Sequence, residues 1–254
     1  MDKLLSLEGK VAIITGSARG LGKDIALKLA KAGCKGITLN SVRSTGDRLH
    51  EISQEINKHG VETLEIRADV SVKAQVEKLF EETYRKWGHI DILINNAAIC
   101  SSSTFFDTSL DEWDTLININ LKGTFICMQE AAKYMKNQNS GWIVNISSTA
   151  GITGGSVGPH YGISKAGVIN LTKSAGKQLA KYGIYVNAVA PGDMKTEMLE
   201  AVISDNEVKK QRLKNIPLGR IGDTEEIANV VLFLVSPMSS YIVGETIRVS
   251  GGRI

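Results

Sequence analysis

The stretch Val11-Ala-Ile-Ile-Thr15-Gly16-Ser-Ala-Arg-Gly20-Leu-Gly22 decides the fold of this chain. It opens on a continuous apolar run, which is typical of a strand buried on both faces of a sheet. Its glycines precede a helical pattern from about Leu21 to Ala32. Glycines permit a tight turn and let the backbone approach a phosphate, and a helix start offers free N–H donors. Many glycine-rich turns bind nothing, but this strand–loop–helix order predicts dinucleotide binding.

The rest of the chain continues the alternation of strand and helix. Further β-rich runs lie at 37–39, 62–66, 90–94, 142–146 and 184–190, and helical patterns lie between them, among them 71–87 and 110–135. Strands separated by helices of this length predict a parallel sheet with right-handed crossovers. We therefore predict one α/β domain over residues 1–254, a Rossmann-type doubly wound parallel sheet with helices on both faces. Residues 193–218 interrupt the alternation and are predicted to form a substrate lid.

Composition excludes several classes of protein. The 254 residues are 43% hydrophobic and carry a formal net charge of +3 with no basic cluster, so nucleic-acid binding is not indicated. Three cysteines fit no paired spacing, which predicts free thiols in a reducing compartment. The first ten residues do not resemble a signal peptide, and no apolar run reaches the roughly 18 residues of a membrane span. We expect a cytoplasmic protein without membrane contact.

A second stretch, Pro159-His-Tyr-Gly-Ile-Ser-Lys-Ala-Gly167, carries the candidate chemistry. Tyr161 and Lys165 are four residues apart, so they share one face of a helix. An ammonium at about 4 Å and an effective dielectric near 20 favours a phenolate by roughly 4 kcal/mol, which would lower the pKa of the tyrosine by about two to three units. Tyr161 would then be a usable general acid. Alone, the same pattern also fits a surface tyrosine and lysine on an ordinary helix.

The end of the second predicted strand bears on the choice of dinucleotide. An acid about 20 residues after the glycine loop would bind a ribose hydroxyl. The sequence here is Asn40-Ser41-Val42-Arg43, and the next acid is Asp47. Arg43 and Arg19 are candidates to bind a 2′-phosphate, although both also fit solvated surface arginines. We predict NADP(H) as the cofactor.

Two other classes of protein compete with this reading. Residues 154–158 match Gly-x-Ser-x-Gly of serine hydrolases, but no histidine follows at a usable distance, and His160 next to Tyr161 is more readily a wall or surface residue. No paired histidines or cysteines have metal-ligand spacing, so no metal site is predicted. A dinucleotide-binding regulator without turnover would retain the glycine loop and lose the catalytic residues, which are present here.

Several motifs in order resemble those of the short-chain dehydrogenase/reductase family, over about residues 10–252. They are Thr-Gly-x-x-x-Gly-x-Gly at 15–22, Asn95-Asn-Ala97, the Ser148 and Tyr161/Lys165 set, and Pro191-Gly192 with Thr196. Within the family the chain is most similar to 3-oxoacyl-[acyl-carrier-protein] reductases, including the run Ser240–Thr246 and the closing Gly251-Gly252. The resemblance implies a homotetramer and reduction of a carbonyl.

The resemblance also implies residue roles. Tyr161 matches the proton donor, and Lys165 the residue that tunes it and holds the nicotinamide ribose. Ser148, thirteen residues before Tyr161, matches the serine that polarises the carbonyl, with the neighbouring Ser147 as the competing register. Asn120 matches an asparagine that anchors a proton-relay water, although it also fits a buried helix residue with a local bond.

Other positions match cofactor contacts of the family. Asp69, which also fits a helix cap, and Val70 match contacts to adenine, and Thr196 matches a contact to the carboxamide. The full set of cofactor positions implied by the loop and the resemblance is Gly16, Ser17, Arg19, Gly20, Leu21, Gly22, Asn40, Ser41, Arg43, Asp69, Val70, Asn96, Ala97, Ala98, Tyr161, Lys165, Pro191, Gly192 and Thr196.

Departures from the family pattern bear on the substrate. Ala98 replaces a usual glycine, and Asn139 and Tyr182 occupy positions where acyl-carrier reductases often have arginines. If an acidic carrier protein docks, Lys136 and Lys181 must supply the attraction. We expect a 3-oxoacyl group on acyl carrier protein as substrate, and a small-molecule free ketone, secondary alcohol or hydroxysteroid as the alternative. Met194, Met198, Leu199 and Ile203 predict only that the pocket is apolar.

Overall fold

A seven-stranded parallel sheet forms the centre of the computed structural model, which describes residues 3–42, 48–154, 158–202 and 206–253. The strands are β1 (Val11–Ile14), β2 (Gly36–Ser41), β3 (Glu62–Arg67), β4 (Ile92–Asn95), β5 (Gly141–Ile146), β6 (Ile184–Pro191) and β7 (Thr246–Val249). Their order is β3-β2-β1-β4-β5-β6-β7. The direction of winding reverses between β1 and β4, which makes the sheet doubly wound. The predicted fold class is confirmed.

Helices cover both faces of the sheet. They are α1 (Gly20–Lys31), α2 (Arg48–Asn57), α3 (Lys73–Trp87), α4 (Leu110–Ile117), α5 (Gly123–Gln138), α6 (Ala150–Thr153), α7 (Pro159–Leu179), α8 (Glu197–Val202), α9 (Asn206–Lys214) and α10 (Thr224–Leu234). One core lies under α1, α2 and α10, and the other lies under α3, α5 and α7. None of these helices, over the ranges described, is both long and apolar enough to cross a membrane.

The central strands explain the apolar runs in the sequence. All four residues of β1 and of β4 are buried, because each strand has helices packed on both faces. Ile13 packs into one core and Ile14 into the other, as expected when successive side chains alternate across a strand. The edge strand β3 is largely exposed or half-buried by contrast.

The predicted helix over 110–135 is interrupted in the structure. Residues Asn118–Lys122 form a wider π-helical turn between α4 and α5. Single π turns recur at functional sites. The interruption leaves no mark on the hydrophobic periodicity, which is why the sequence predicts one continuous helix.

The C-terminal part contains two elements that we did not predict, α10 and β7. Between β6 and α10 lies the 193–218 segment, which includes α8 and α9. Met194 forms an isolated parallel bridge with Gly222, and the Leu218 amide donates to the Gly251 carbonyl at 3.1 Å. Both ends of the segment are therefore attached to the body of the domain.

Candidate active site

Two adjoining cavities of about 230 Å³ and about 510 Å³ open at the carboxyl ends of the parallel strands. This is the side of an open parallel sheet on which ligands bind, next to the point where the strand order reverses. Both cavities are lined by Gly16, Arg19, Ala98 and Cys100. The smaller cavity also contains Ser148, Tyr161 and Lys165, and the larger contains Asn40, Ser41, Asp69 and Val70.

The glycine loop requires glycine at two of its positions. Gly16 has φ +64°, and a Cβ atom there would lie 2.8 Å from the Ala97 Cα. A Cβ atom on Gly22 would lie 2.4 Å from the Gly16 carbonyl oxygen and 2.5 Å from the Asn96 amide nitrogen. Both contacts are shorter than packed atoms tolerate, so only glycine lets this loop close against the end of β4.

Polar side chains predicted to touch the cofactor also hold this loop in place. The Asn96 side chain donates to the carbonyls of Thr15 and Gly16, both at 3.0 Å. The side-chain oxygen of Asn40 accepts from the Gly16 backbone N–H at 3.4 Å, and the Ser17 hydroxyl accepts from the Asn40 backbone N–H at 2.9 Å. These bonds join the carboxyl ends of β1, β2 and β4 into one rigid rim.

Tyr161, Ser148 and Lys165 come together at the floor of the smaller cavity. The Ser148 hydroxyl is hydrogen-bonded to the Tyr161 phenol. Lys165 lies one turn further along α7, with Nζ 5.8 Å from the centroid of the Tyr161 ring. The same Nζ donates to the carbonyl of Ile146 at 2.9 Å. A carbonyl oxygen placed between the serine and the tyrosine would meet two hydroxyl donors.

The predicted lowering of the tyrosine pKa is wrong for the structure as it stands. Burial, and then the neighbouring Cys100, raise the pKa of Tyr161 above its usual value, and only the Ser148 hydrogen bond lowers it. Burial also lowers the pKa of Lys165 from 10.5 to about 8. Burial disfavours the charged form of both groups, so it raises the pKa of the phenol and lowers that of the ammonium. The ammonium also donates to the Ile146 carbonyl instead of the phenol, so it does not offset this effect.

The register of the serines is settled by their partners. Ser147 is buried, and its hydroxyl donates to the Lys165 carbonyl at 2.8 Å, so it fastens α7 to the end of β5. Ser148 is the serine that interacts with Tyr161, and its role toward the substrate stays a prediction. The Ser148 hydroxyl also accepts from the Ala150 amide at 3.1 Å, which orients it at the start of α6.

Asn120 makes longer-range contacts than a local helix bond. Its amide oxygen accepts from the Ile99 backbone N–H at 2.9 Å, and its amide nitrogen donates to the Ile99 carbonyl at 2.9 Å. The same nitrogen donates to Ser164 on α7 at 3.2 Å. The π turn thus places one buried amide between the loop after β4 and the helix of Tyr161.

The larger cavity contains the predicted adenine end. Asp69 accepts from the amide and hydroxyl of Ser71 at 2.9 and 2.7 Å, so it forms a turn ahead of α3 and is not the helix cap. Ala98 has no left-handed backbone, because Asn139 is the one non-glycine residue with positive φ in the described ranges. The glycine replaced by Ala98 is therefore not needed for backbone conformation here. Arg43 lies outside the described residues.

The remaining predicted positions form the opposite wall. Pro191, Gly192 and Thr196 line the smaller cavity with Leu21 and Gly20. Met194, Met198 and Leu199 line it as well, whereas Ile203 lies outside the described residues. The apolar description is incomplete, because the lining also includes Arg212, Asp193, Glu197 and Cys100. Arg212 donates to Asp193 at 2.9 Å and Arg253 donates to the same carboxylate at 2.5 Å. No spacing in the sequence indicates these pairs.

Sequence reasoning also missed a polar cluster between α4 and the start of α7. His160 is fully buried, and neither ring nitrogen has a hydrogen-bond partner. Glu112 accepts from the hydroxyls of Ser101 and Ser103, the latter at 2.5 Å. These hydrogen bonds lower the pKa of Glu112, with Ser101 contributing most. The cluster joins the loop after β4 to α4.

Comparisons with known proteins agree with this geometry. A family described as enoyl-(acyl carrier protein) reductase matches residues 16–253. The chain is 45% identical over 249 residues to the 3-oxoacyl-[acyl-carrier-protein] reductase of Aquifex aeolicus, covering 98% of each protein. Its fold matches a short-chain type dehydrogenase/reductase from Mycobacterium marinum with a TM-score of 0.92, 36% identity and coverage of 98% and 97%. It also matches a 7α-hydroxysteroid dehydrogenase complexed with NADH and 7-oxo glycochenodeoxycholic acid, with a TM-score of 0.94, 31% identity and coverage of 99% and 96%.

The chain belongs to the short-chain dehydrogenase/reductase family, which confirms the resemblance seen in the sequence. It is an NAD(P)-dependent oxidoreductase acting on CH–OH or C=O groups. The residues present fit a nicotinamide dinucleotide, because Gly16, Gly20 and Gly22 line a cavity at the start of α1, where the free N–H groups of the first helical turn can bind a phosphate. A continuous pair of cavities runs from there to Tyr161 on one side and Asp69 on the other.

Proposed function

We propose that the protein is an NADPH-dependent reductase that converts 3-oxoacyl groups on acyl carrier protein to the 3-hydroxyacyl form. The observation that carries the reductase chemistry is the Ser148–Tyr161 hydrogen bond, with Lys165 one helical turn away, beside the glycine cradle. The carrier substrate is supported by the 45% identity to a protein of that name over nearly the whole of both chains.

The chain's own residues supply proton transfer and orientation. A bound nicotinamide supplies the hydride. Tyr161 donates its phenolic proton to the carbonyl oxygen, and Ser148 donates a second hydrogen bond that polarises the same oxygen. The ammonium of Lys165 favours the phenolate that remains, which lowers the free energy of proton loss. In the structure this ammonium donates to the Ile146 carbonyl, so its effect on the phenol depends on whether the cofactor and substrate are bound.

We propose Asn120 as a positioning residue at the end of a proton path. Its amide ties Ile99 to Ser164, three residues from Tyr161 along α7. The role of holding a relay water, implied by the family, stays a prediction.

We propose that the protein binds NADP(H) in preference to NAD(H), because of the charges near the end of β2. Asn40 stands where an acid would bind a ribose hydroxyl, and its amide is engaged by Gly16, Ile66 and Ala68. Arg19 lines both cavities and contributes a positive charge at that end. Residues 40–43 at the end of β2 contain no acid, so the position where an acid would bind a ribose hydroxyl carries no negative charge to repel a 2′-phosphate.

A specific observation favours the alternative substrate, a free ketone or secondary alcohol. Lys136 and Lys181 do converge, since their Nζ atoms lie 4.9 and 5.1 Å from the centroid of the Tyr182 ring. These residues lie at the amino ends of β5 and β6, however, whereas Ser148 follows the carboxyl end of β5. The length of β5 separates the two by roughly 20 Å. A carrier bound at this patch would sit on the opposite side of the sheet from Tyr161 of the same chain.

One panel of NADPH-oxidation assays decides between the substrates. It compares a 3-oxoacyl group on carrier protein, the same group on a small thiol, and free ketones, at low and high salt. If the proposal holds, the carrier substrate is preferred and its advantage shrinks with salt. Lys181→Glu should reduce that advantage. Lys177, an exposed lysine on α7, is the control, and Lys177→Glu should leave the advantage unchanged. A carrier substrate no better than its small-thiol analogue at low salt, with a free ketone reduced faster than either, would favour the alternative.

We propose that the protein assembles as a homotetramer through the exposed apolar surface of α4, α5 and the preceding loop. Phe106, Leu110 and Phe105 are 96%, 80% and 79% exposed, and Phe125 on α5 is 47% exposed. Phe105 and Phe106 are in ring contact, with centroids 6.1 Å apart, and exposed clusters of large apolar side chains mark interaction surfaces. Light scattering coupled to gel filtration should give four times the chain mass, and Phe106→Asp should lower it. A single-domain organisation with residues 193–218 as a lid, and a cytoplasmic location, remain our predictions.

A further inference from the structure

A guanidinium group of the 193–218 segment borders the smaller cavity, and one carboxylate fixes its position. Arg212 on α9 donates to Oδ1 of Asp193 at 2.9 Å, and Arg253, beyond β7, donates to Oδ2 of the same residue at 2.5 Å. Arg212 and Asp193 line the cavity that also contains Tyr161. Their side chains are 13% and 9% exposed, so the charge of Arg212 is largely shielded from water and screened little by salt.

Two cations act on the wall of this cavity next to the reacting groups. Burial raises the pKa of the Cys100 thiol to about 11, and the charges of Lys165 and then Arg212 oppose this rise. Both cations are therefore within electrostatic range of Cys100, which in turn interacts electrostatically with Tyr161. Lys165 donates to the backbone carbonyl of Ile146, so its hydrogen bond leaves the positive charge in place.

The carboxylates of the same cavity are already bound to guanidinium groups. Asp193 and Glu197 are the two acids that line it among the described residues. Asp193 is shared by two arginines, and Glu197 likewise accepts from Arg19 at 2.7 Å and from Arg48 at 3.3 Å. An anionic group that enters the cavity therefore meets carboxylates whose charge is compensated, and like-charge repulsion is small.

We propose that Arg212 binds a carboxylate of the substrate, so that the enzyme reduces small oxo acids whose carbonyl is held by Ser148 and Tyr161. A guanidinium has five N–H donors in a planar fork that matches a carboxylate, and the bond to Asp193 restricts the orientation of that fork. The carbonyl carbon accepts the hydride that the reduced nicotinamide supplies, the carbonyl oxygen takes the Tyr161 proton, and the carboxylate is unchanged. The inference rests on the proposed reductase chemistry and adds to it a further substrate class.

This substrate class differs from the carrier thioester in one group. A 3-oxoacyl thioester is uncharged next to its carbonyl, whereas a free 3-oxo acid carries a carboxylate two bonds away. A hydrogen bond to an ionised group changes affinity by about 10- to 100-fold. We therefore expect Arg212 to determine whether the acid or a neutral derivative is preferred.

The experiment compares acetoacetate with its methyl ester, which has the same 3-oxo carbonyl and no charge. Steady-state rates are measured on the full chain by oxidation of NADPH or NADH, whichever the parent uses, and the preference is the ratio of kcat/KM for acid and ester. Arg212→Met should lower this ratio about 10- to 100-fold, mainly through KM for the acid. Arg212→Lys keeps the charge without the fork and should lie between. Lys214→Met, at an exposed lysine of the same helix, is the matched control and should keep the parental ratio.

A merely structural role for the ion pairs of Asp193 leads to a different result. Arg253→Met removes the other ion pair of Asp193, so this variant and Arg212→Met should both lower Tm. A loss of stability affects acid and ester alike, so only Arg212→Met should lower the ratio by tenfold or more. Inhibition of methyl ester reduction by butyrate and by uncharged butyramide tests the parent alone, and butyrate should inhibit at an about tenfold lower concentration.

The outcomes separate this inference from the proposed function. If the parent reduces the methyl ester but butyrate inhibits no better than butyramide, the carboxylate site is refuted while the reductase proposal stands. A parental ratio in Arg212→Met, or an equal loss in Arg253→Met, refutes it as well. If neither the acid, the ester nor the carrier substrate is reduced, the reductase proposal fails and the inference fails with it.

Discussion

Nε2 of the buried His160 lies 3.5 Å from Oε1 of Glu112, although the two residues are far apart in sequence. His160 precedes Tyr161 directly, and Glu112 holds Ser101 and Ser103 in the loop that also contains Cys100. One carboxylate therefore connects the start of α7 with the wall of the smaller cavity. The Trp113 ring stacks on the His160 ring with centroids 6.5 Å apart, and this contact holds the imidazole in place.

We predict that Glu112→Ala raises KM for the carbonyl substrate by about three- to tenfold with a smaller change in kcat. The reason is that the hydroxyls of Ser101 and Ser103 lose their acceptor and the cavity wall loosens, whereas Tyr161 and Ser148 stay in place. Glu112→Gln keeps an acceptor oxygen and should lie between the two. Asp111→Ala, one residue earlier and exposed, is the control. A fall in kcat alone would contradict the positioning role.

Tyr161→Phe should lower turnover by at least about 10²-fold, because it removes the proton donor and keeps the ring. Affinity for the cofactor should change little. Tyr241→Phe, at a fully exposed tyrosine, should keep parental turnover. Near-normal activity of Tyr161→Phe in a steady-state assay would refute the proposed mechanism.

Lys165 should leave a signature in the pH dependence of stability. Its folded-state pKa of about 8 is below the usual 10.5, so between these values the unfolded chain binds more protons. Relative to a chain without this lysine, the stability of the parent should therefore rise with pH by about 2 kcal/mol between pH 7.5 and 9.5, against the opposite contribution of the three thiols, whose pKa values burial raises. Urea unfolding of Lys165→Met should lack that rise, and Lys177→Met, at an exposed position, should keep it. Parallel pH profiles for the parent and Lys165→Met would disprove the assignment.

Gly16→Ala should destabilise the protein more than Gly9→Ala. Both glycines have positive φ, +64° and +77°, so both substitutions incur a backbone cost of about 1–2 kcal/mol. A Cβ at Gly9 meets nothing within 4 Å, whereas at Gly16 it meets the Ala97 Cα at 2.8 Å. We expect a further loss of about 1–3 kcal/mol in the free energy of unfolding for Gly16→Ala. Only Gly16→Ala should weaken cofactor binding, and equal losses for the two variants would argue against the close contact.

Asn120→Asp should be poorly tolerated. The carboxylate still accepts from the Ile99 amide, but its second oxygen faces the Ile99 carbonyl, which has lost its donor. We expect a loss of about 1–3 kcal/mol, measured by chemical denaturation, since a buried acceptor is left unsatisfied. Asn118→Asp, exposed in the same π turn, is the comparison and should be nearly neutral. An Asn120→Asp variant as stable as the parent would mean that the loop after β4 has another anchor.

The parts of the fold that the sequence predicts well are those in which burial produces a recognisable pattern of hydrophobic residues. β1 and β4 are buried on both faces, and each reads as a continuous apolar run. The glycine loop and the Tyr161–Lys165 spacing are equally local, because their geometry is set within a few residues. The strand β7, with four half-buried or exposed residues, has too little pattern to be found.

The site features that sequence did not reveal all depend on tertiary contact. Glu112 and His160 are adjacent only because α4 packs beside α7, and Arg48 reaches Glu197 only across the cleft. The pKa of Tyr161 depends on burial, which spacing along a helix does not report. Pairing Tyr161 with Lys165 identified the right residues but overstated their electrostatic coupling.

The anchoring of the 193–218 segment bears on how such an enzyme can diversify. Asp193, clamped by Arg212 and Arg253, fixes one end, and the Leu218–Gly251 hydrogen bond fixes the other. Tyr161 and Lys165 lie on α7 and Ser148 follows β5, so all three lie outside this segment. Because we predict that this segment forms the substrate lid, changes in its intervening residues would alter the preferred substrate and leave the proposed reacting residues in place. Exchanging residues 193–218 between related enzymes should therefore change which substrate is preferred without changing the reaction.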